Sequence, residues 1–77
     1  MFFQEIFSLR LKELRTSKGL KQDDIAAFLG VTKTQISDIE RGKRTTTIEK
    51  LVALADFFDV SLDYLVGRTE NPNSHKT

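Results

Sequence analysis

The sequence predicts an all-α fold, a compact bundle of five short helices. Two patterns carry the prediction. Apolar residues recur at three- and four-residue spacings along most of the chain, and Thr, Ser and Gly stand where such runs should begin and end. A length of 77 residues with 39% hydrophobic content suits a single domain. A domain this short buries only roughly 60% of the surface its unfolded chain would expose, so its stability margin is thin. The chain has no cysteine, so neither a disulfide nor a zinc–thiolate site can staple it. Support has to come from packing, or from a second copy of the chain.

Each helix has its own evidence. Phe3, Phe7, Leu11 and Leu14, with Ile6 beside them, form a helical stripe over about Phe3 to Ser17, and Gly19 follows as a stop. A second helix starts near Lys21, carries Ile25, Ala26 and Leu29 inward, and has Asp23 and Asp24 in its first turn, where carboxylates favour the positive end of the helix dipole. Gly30 ends it. Thr32 is a natural N-cap for a third helix, about Thr32 to Arg41, in which Ile36 and Ile39 supply the buried side and Gly42 the left-handed turn that closes it. The polar run from Lys43 to Thr47 is a loop. Thr46 or Thr47 caps a fourth helix, with Ile48, Leu51, Leu54, Ala55 and Phe58 facing inward. Val60-Ser61 repeats the Val31-Thr32 arrangement and opens a short fifth helix through Leu62, Leu65 and Val66, stopped by Gly67. The folded domain is expected over residues 1–67, and residues 68–77 as a flexible C-terminal tail.

The two middle helices, joined across Gly30-Val31-Thr32, have the dimensions of a helix-turn-helix. At about 100° per residue, Lys33, Thr34, Ser37, Asp38 and Arg41 gather on the side of the third helix opposite its isoleucines, with Gln35 at the boundary. Such short or flexible polar side chains can reach base edges without holding the backbone away. Lys33 can donate to guanine, the Thr34 methyl can meet a thymine methyl, and Asp38 can accept from cytosine N4. An ordinary solvated helix surface would look similar, but two flanking features argue for a nucleic-acid face. Gln22 stands at the start of the second helix, where side-chain amide and backbone N–H groups can grip a phosphate. Lys43, Arg44 and three threonines follow the third helix, where the chain would pass a DNA backbone.

The net charge is only +1, but its distribution is uneven. From Val31 to Lys50, Lys33, Arg41, Lys43, Arg44 and Lys50 face Asp38, Glu40 and Glu49, whereas beyond Leu51 acidic residues outnumber basic ones. One modestly basic part beside an acidic end suits a nucleic-acid face. No stretch approaches the roughly 18 uninterrupted apolar residues of a membrane span, and the apolar start lacks the basic region of a signal peptide. An intracellular, soluble protein is expected. No nucleophile–base set or metal-ligand cluster can be assembled, and the single histidine, His75, lies in the expected tail. Neither an enzyme nor a cofactor or metal is expected.

At this point the sequence resembles the Cro/C1-type (XRE-like) helix-turn-helix domain of phage repressors and bacterial transcriptional regulators, whose fold is lambda-repressor-like. The matching text is Arg10-Leu-Lys-Glu-Leu-Arg15, Gly19-Leu-Lys-Gln-Asp-Asp-Ile-Ala26, Leu29-Gly-Val-Thr32, Ile36-Ser-Asp-Ile-Glu-Arg-Gly-Lys-Arg44, Leu51-Val-Ala-Leu-Ala55 and Val60-Ser-Leu-Asp-Tyr-Leu65. It covers about Phe7 to Val66. The resemblance implies that Lys33, Thr34, Ser37 and Asp38 read bases in the major groove of double-stranded DNA. It further implies that Gln22, Gln35, Lys43, Arg44 and Thr45 position the DNA backbone, and that Arg10 and Glu40 form an internal salt bridge. It implies a cytoplasmic, nucleoid-associated regulator, most often a repressor, that binds a near-palindromic operator as a homodimer; no small-molecule ligand is evident in the sequence. The chain departs from many members in having Thr45-Thr46 where they have Asn-Pro, and in an acidic residue at Asp38. Phe2, Phe3 and Leu9 add apolar surface beyond the usual start, expected to extend the core or to meet a partner. Exposed parts of Tyr64, Leu65 and Val66 offer a second-subunit contact. A protein-interaction module, such as an antitoxin or a partner-bound regulator, is the alternative from another class.

Overall fold

The computed structural model describes residues 3–73, with nothing to say of the Phe3 side chain. Phe2 and His75, and the side chain of Phe3, therefore lie outside the described residues. Among the described residues five helices follow one another: α1 (Phe3–Ser17), α2 (Gln22–Leu29), α3 (Lys33–Glu40), α4 (Ile48–Phe58) and α5 (Leu62–Leu65). No strand occurs among the described residues. The expected all-α bundle and its chain order are what forms.

The core is assembled from the predicted stripes. Phe7 and Leu11 of α1, Ile25 and Ala26 of α2, Ile36 and Ile39 of α3, four residues of α4 (Leu51, Leu54, Ala55, Phe58), and Val60 and Leu65 make one buried cluster. Each large aliphatic or aromatic side chain sealed there contributes roughly 1.5–3 kcal/mol. Leu14, Leu20, Leu29, Val31 and Tyr64 pack around it, half-buried. The helix ends are closed by local chemistry. Ser61 and Thr47 accept the Tyr64 and Lys50 N–H groups at 2.9 and 3.2 Å, satisfying donors that the first turn leaves orphaned. Asp59 is the only non-glycine residue with positive φ among those described. It ends α4 in the left-handed conformation, with Val60 N–H returning to Ala55 O at 2.9 Å.

Several expectations are corrected by the packing. Ile48 is 65% exposed rather than inward: its spacing to Leu51 and Ala55 puts it on the core side of α4, but it stands at the first position of the helix, where the buried stripe ends. Leu9 is 59% exposed and does not extend the core, since it follows the buried pair Phe7 and Ser8 onto the outer side of α1. Leu65 is fully buried and offers no surface to a second subunit.

The Arg10–Glu40 salt bridge does not form. Arg15 pairs with Glu40 instead, its Nε donating to Oε2 at 2.6 Å and Nη2 to Oε1 at 3.0 Å. The reason is helical register. Arg10 and Arg15 are five residues apart, which turns one about 140° from the other around α1 at 100° per residue. Arg15 therefore faces α3, while Arg10 faces α5. There its guanidinium lies 4.1 Å from the centre of the Tyr64 ring and donates to the Tyr64 and Thr69 carbonyls.

The segment after α5 is bonded back onto the bundle as far as it is described. Besides the Arg10–Thr69 bond, Arg68 N–H donates to Asp63 O at 2.8 Å and Ser61 N–H to Pro72 O at 2.7 Å. Gly67 makes the approach to α1 possible. Its φ is +88°, and a Cβ there would stand 2.7 Å from Ile6 Cγ2.

Candidate nucleic-acid interface

The turn between α2 and α3 is built entirely from local bonds. Gly30 adopts φ 71°, ψ 34°, and Val31 N–H reaches back to Ala26 O at 3.0 Å. A Cβ at Gly30 would meet nothing within 4 Å, so the glycine is required by backbone conformation and not by space. Thr32 then starts α3 with a reciprocal capping box. Its hydroxyl accepts the Gln35 N–H, and the Gln35 side-chain carbonyl accepts the Thr32 N–H, each at 3.1 Å. At the other end of α2's first turn, Asp24 accepts the Lys21 N–H at 2.8 Å.

Ile36 and Ile39, at 0% and 2% exposure, clamp the inner side of α3 into the core. That seating decides what the other side can do. Lys33 and Thr34 stand exposed at the N-terminal end, and Ser37 and Asp38 follow, half-buried, one turn on. The structure thus brings the four expected base-reading residues onto one open row. Gln35 lies at its margin, with its carbonyl oxygen committed to the cap.

A charged hub locks the geometry from behind. Glu40 accepts from Arg15 through both oxygens and also from Gln22 Nε2 at 3.1 Å, while Arg15 Nη1 donates to Leu20 O at 2.8 Å. One carboxylate therefore ties α1, α2 and α3 together. The Arg15 and Glu40 side chains are 12% and 4% exposed, and their bonds are bidentate and charge-assisted, the strongest hydrogen-bonded pairing a protein offers. The bond to Glu40 holds the Arg15 guanidinium above its ordinary range, against the opposing pull of burial. Gln22, expected to touch a phosphate, is oriented by this hub: one amide hydrogen goes to Glu40, leaving the other as a potential phosphate donor.

Past α3 the chain reverses at Gly42, φ 77°, and Lys43 N–H bonds to Asp38 O at 2.9 Å. Lys43, Arg44 and Thr45 are consequently exposed beside α3. Between the loop and α3 lies a groove of about 260 Å³ with an apolar floor that includes Ile39 and a polar rim that includes Gln35, Arg44, Thr45 and Lys50. Two members of this surface were not among the expected site residues. Lys50 sits in the first turn of α4, three residues after its Thr47 cap, a spacing the sequence displays. Arg41 stands exposed at the C-terminal end of α3. In the structure its Nη2 donates to Asp38 Oδ1 at 2.6 Å, and Arg44 Nε stands 3.9 Å from Asp38 Oδ2.

Comparison with known proteins gives this arrangement a context. A helix-turn-helix family profile matches residues 11–65. The HTH-type transcriptional regulator YobD of Bacillus subtilis is 32% identical over 68 residues, 88% of this chain and 61% of that protein. The SPbeta prophage-derived regulator YonR of the same organism is 39% identical over 64 residues, 83% of this chain and 59% of its own. A crystal structure of a transcriptional regulator from Listeria innocua superimposes with a TM-score of 0.77 at 38% identity, covering 79% of this chain and 57% of that one. The chain spans about six-tenths of the length of these two Bacillus relatives. With two isoleucines seating α3 beneath an open polar row, and a family match over most of the bundle, the chain belongs to the Cro/C1-type helix-turn-helix family of DNA-binding domains.

Proposed function

We propose that this protein is a sequence-specific regulator of transcription, a repressor, that occupies double-stranded DNA by inserting α3 into the major groove. The observation that carries this reading is the open row of Lys33, Thr34, Ser37 and Asp38 opposite two buried isoleucines. Lys33 and Thr34 lie at the N-terminal end of α3, the end that meets base edges in helix-turn-helix docking. Lys33 donates to guanine O6 or N7, the Thr34 methyl packs on thymine, and Ser37 bonds to whichever base lies one turn along. Gln22, Gln35, Lys43, Arg44 and Thr45 hold the flanking phosphates and fix the angle at which α3 enters. These contacts position without discriminating. The names of the Bacillus relatives, transcriptional regulators both, support the same reading.

Two copies bind the half-sites of a near-palindrome, about 34–36 Å or one helical turn apart. Their occupancy of a promoter in the bacterial cytoplasm, at the nucleoid, excludes RNA polymerase. Selection from a randomised duplex library tests the proposal. The expected product is a symmetric motif, and Lys33→Ala should select a motif changed at one position in each half-site. Enrichment of no duplex above background would refute the proposal, and recovery of an unchanged motif by Lys33→Ala would refute the assigned reading row.

A further inference from the structure

Asp38 has an environment that base reading does not explain. Its Oδ1 accepts from Arg41 Nη2 at 2.6 Å, and its Oδ2 faces Arg44 Nε at 3.9 Å. Its main-chain carbonyl accepts the Lys43 N–H at 2.9 Å, in the reversal that Gly42 makes with φ 77°. One residue thus gathers the chain that follows it, by backbone at Lys43 and by side chain at Arg41 and Arg44. The carboxylate is the recessed partner, 22% exposed, whereas the Arg41 and Arg44 side chains are 56% and 46% exposed. The acid is therefore screened by two outward-facing guanidiniums, and the local charge of the trio is positive.

Each guanidinium carries five N–H donors in a rigid fork that matches a phosphate. A long arginine side chain loses rotamer freedom when it grips a ligand, and holding it in place beforehand lowers that cost. A carboxylate alone at this place would repel the DNA backbone. With both oxygens turned to arginines it organises the attraction instead. We infer that Asp38 is a positioning residue, which holds Arg41 and Arg44 as a two-guanidinium clamp for a DNA backbone phosphate at the C-terminal end of α3. This inference rests on the major-groove reading of α3, and it gives Asp38 a role in place of the expected acceptance from cytosine.

The test measures affinity of the full chain, by fluorescence anisotropy, for its selected duplex and for a duplex of random sequence. Asp38→Ala and Asp38→Asn should each weaken both by a similar factor, about three- to tenfold for coupled charges in contact. Repeated selection with Asp38→Ala should return the unaltered motif. In an Arg41→Ala/Arg44→Ala background, Asp38→Ala should have no further effect. A motif changed at one base pair, with the full loss persisting in that background, would show Asp38 touching DNA itself and overturn the inference. Tighter binding of every duplex by Asp38→Ala would overturn it as well. Arginine side-chain ¹⁵N–¹H spectra of the DNA-free protein separate this inference from its foundation. The Arg41 guanidinium should show restricted rotation that Asp38→Ala abolishes. Free rotation in a wild-type protein that binds DNA would sink the clamp alone, while absence of all duplex binding would sink the major-groove reading and the phosphate ligand together.

Discussion

Replacing Glu40 by glutamine tests the hub that carries the helix-turn-helix. The substitution keeps a carbonyl that can accept from Gln22, but it removes the charge opposite Arg15. The two side chains are 12% and 4% exposed, so the guanidinium left behind is a poorly hydrated, unpaired cation. Breaking a buried ion pair in this way costs about 3–5 kcal/mol. A domain of 77 residues has a total stability of about 4–12 kcal/mol at 0.05–0.15 kcal/mol per residue. Glu40→Gln should therefore lower the melting temperature by more than about 10 °C and bring the protein near the edge of folding. Differential scanning calorimetry and urea titration measure both quantities. A double-mutant cycle gives the sharper result: Arg15 and Glu40 should couple by about 2–3 kcal/mol, Arg10 and Glu40 by less than about 0.5 kcal/mol. Coupling concentrated at Arg10, or a Glu40→Gln variant within about 0.5 kcal/mol of wild type, would refute the reasoning.

Other perturbations have similarly direct readouts. Gly67→Ala should destabilise by more than about 1 kcal/mol in urea titration, because φ is +88° and the new methyl would sit 2.7 Å from Ile6. Thr32→Ala removes the hydroxyl half of the capping box and should cost about 1 kcal/mol; hydrogen exchange should show the loss at the Gln35 amide, which that hydroxyl accepts. Leu9→Ser, at a 59% exposed position, should stay within about 0.5 kcal/mol of wild type by calorimetry. Lys43→Ala should weaken binding about equally for selected and random duplexes and reduce the salt slope by about one, as anisotropy at several salt concentrations would show.

Much of this protein is legible along the chain because its determinants are local. The apolar stripes of α1 and α3, the caps at Thr32, Thr47 and Ser61, and the turns at Gly30 and Gly42 each depend on residues within about one helical turn. The same holds for the polar row on α3, since burying Ile36 and Ile39 leaves Lys33, Thr34 and Ser37 on the other side. Helix period and hydrophobic burial together allow little else.

What the tertiary structure decided lies between elements. Arg10 and Arg15 are both basic residues on α1, and only the rotation of that helix against α3 and α5 selects Arg15 for Glu40 and sends Arg10 to Tyr64. The same packing leaves Ile48 and Leu9 exposed, seals Leu65, and draws the backbone near Pro72 onto Ser61. Asp38 shows the limit most clearly. Its place on the face and its i,i+3 pairing with Arg41 follow from spacing alone, but its approach to Arg44 depends on how the chain reverses at Gly42. Periodicity determines which side of a helix a residue occupies; partners on other segments are fixed only when those sides are pressed together.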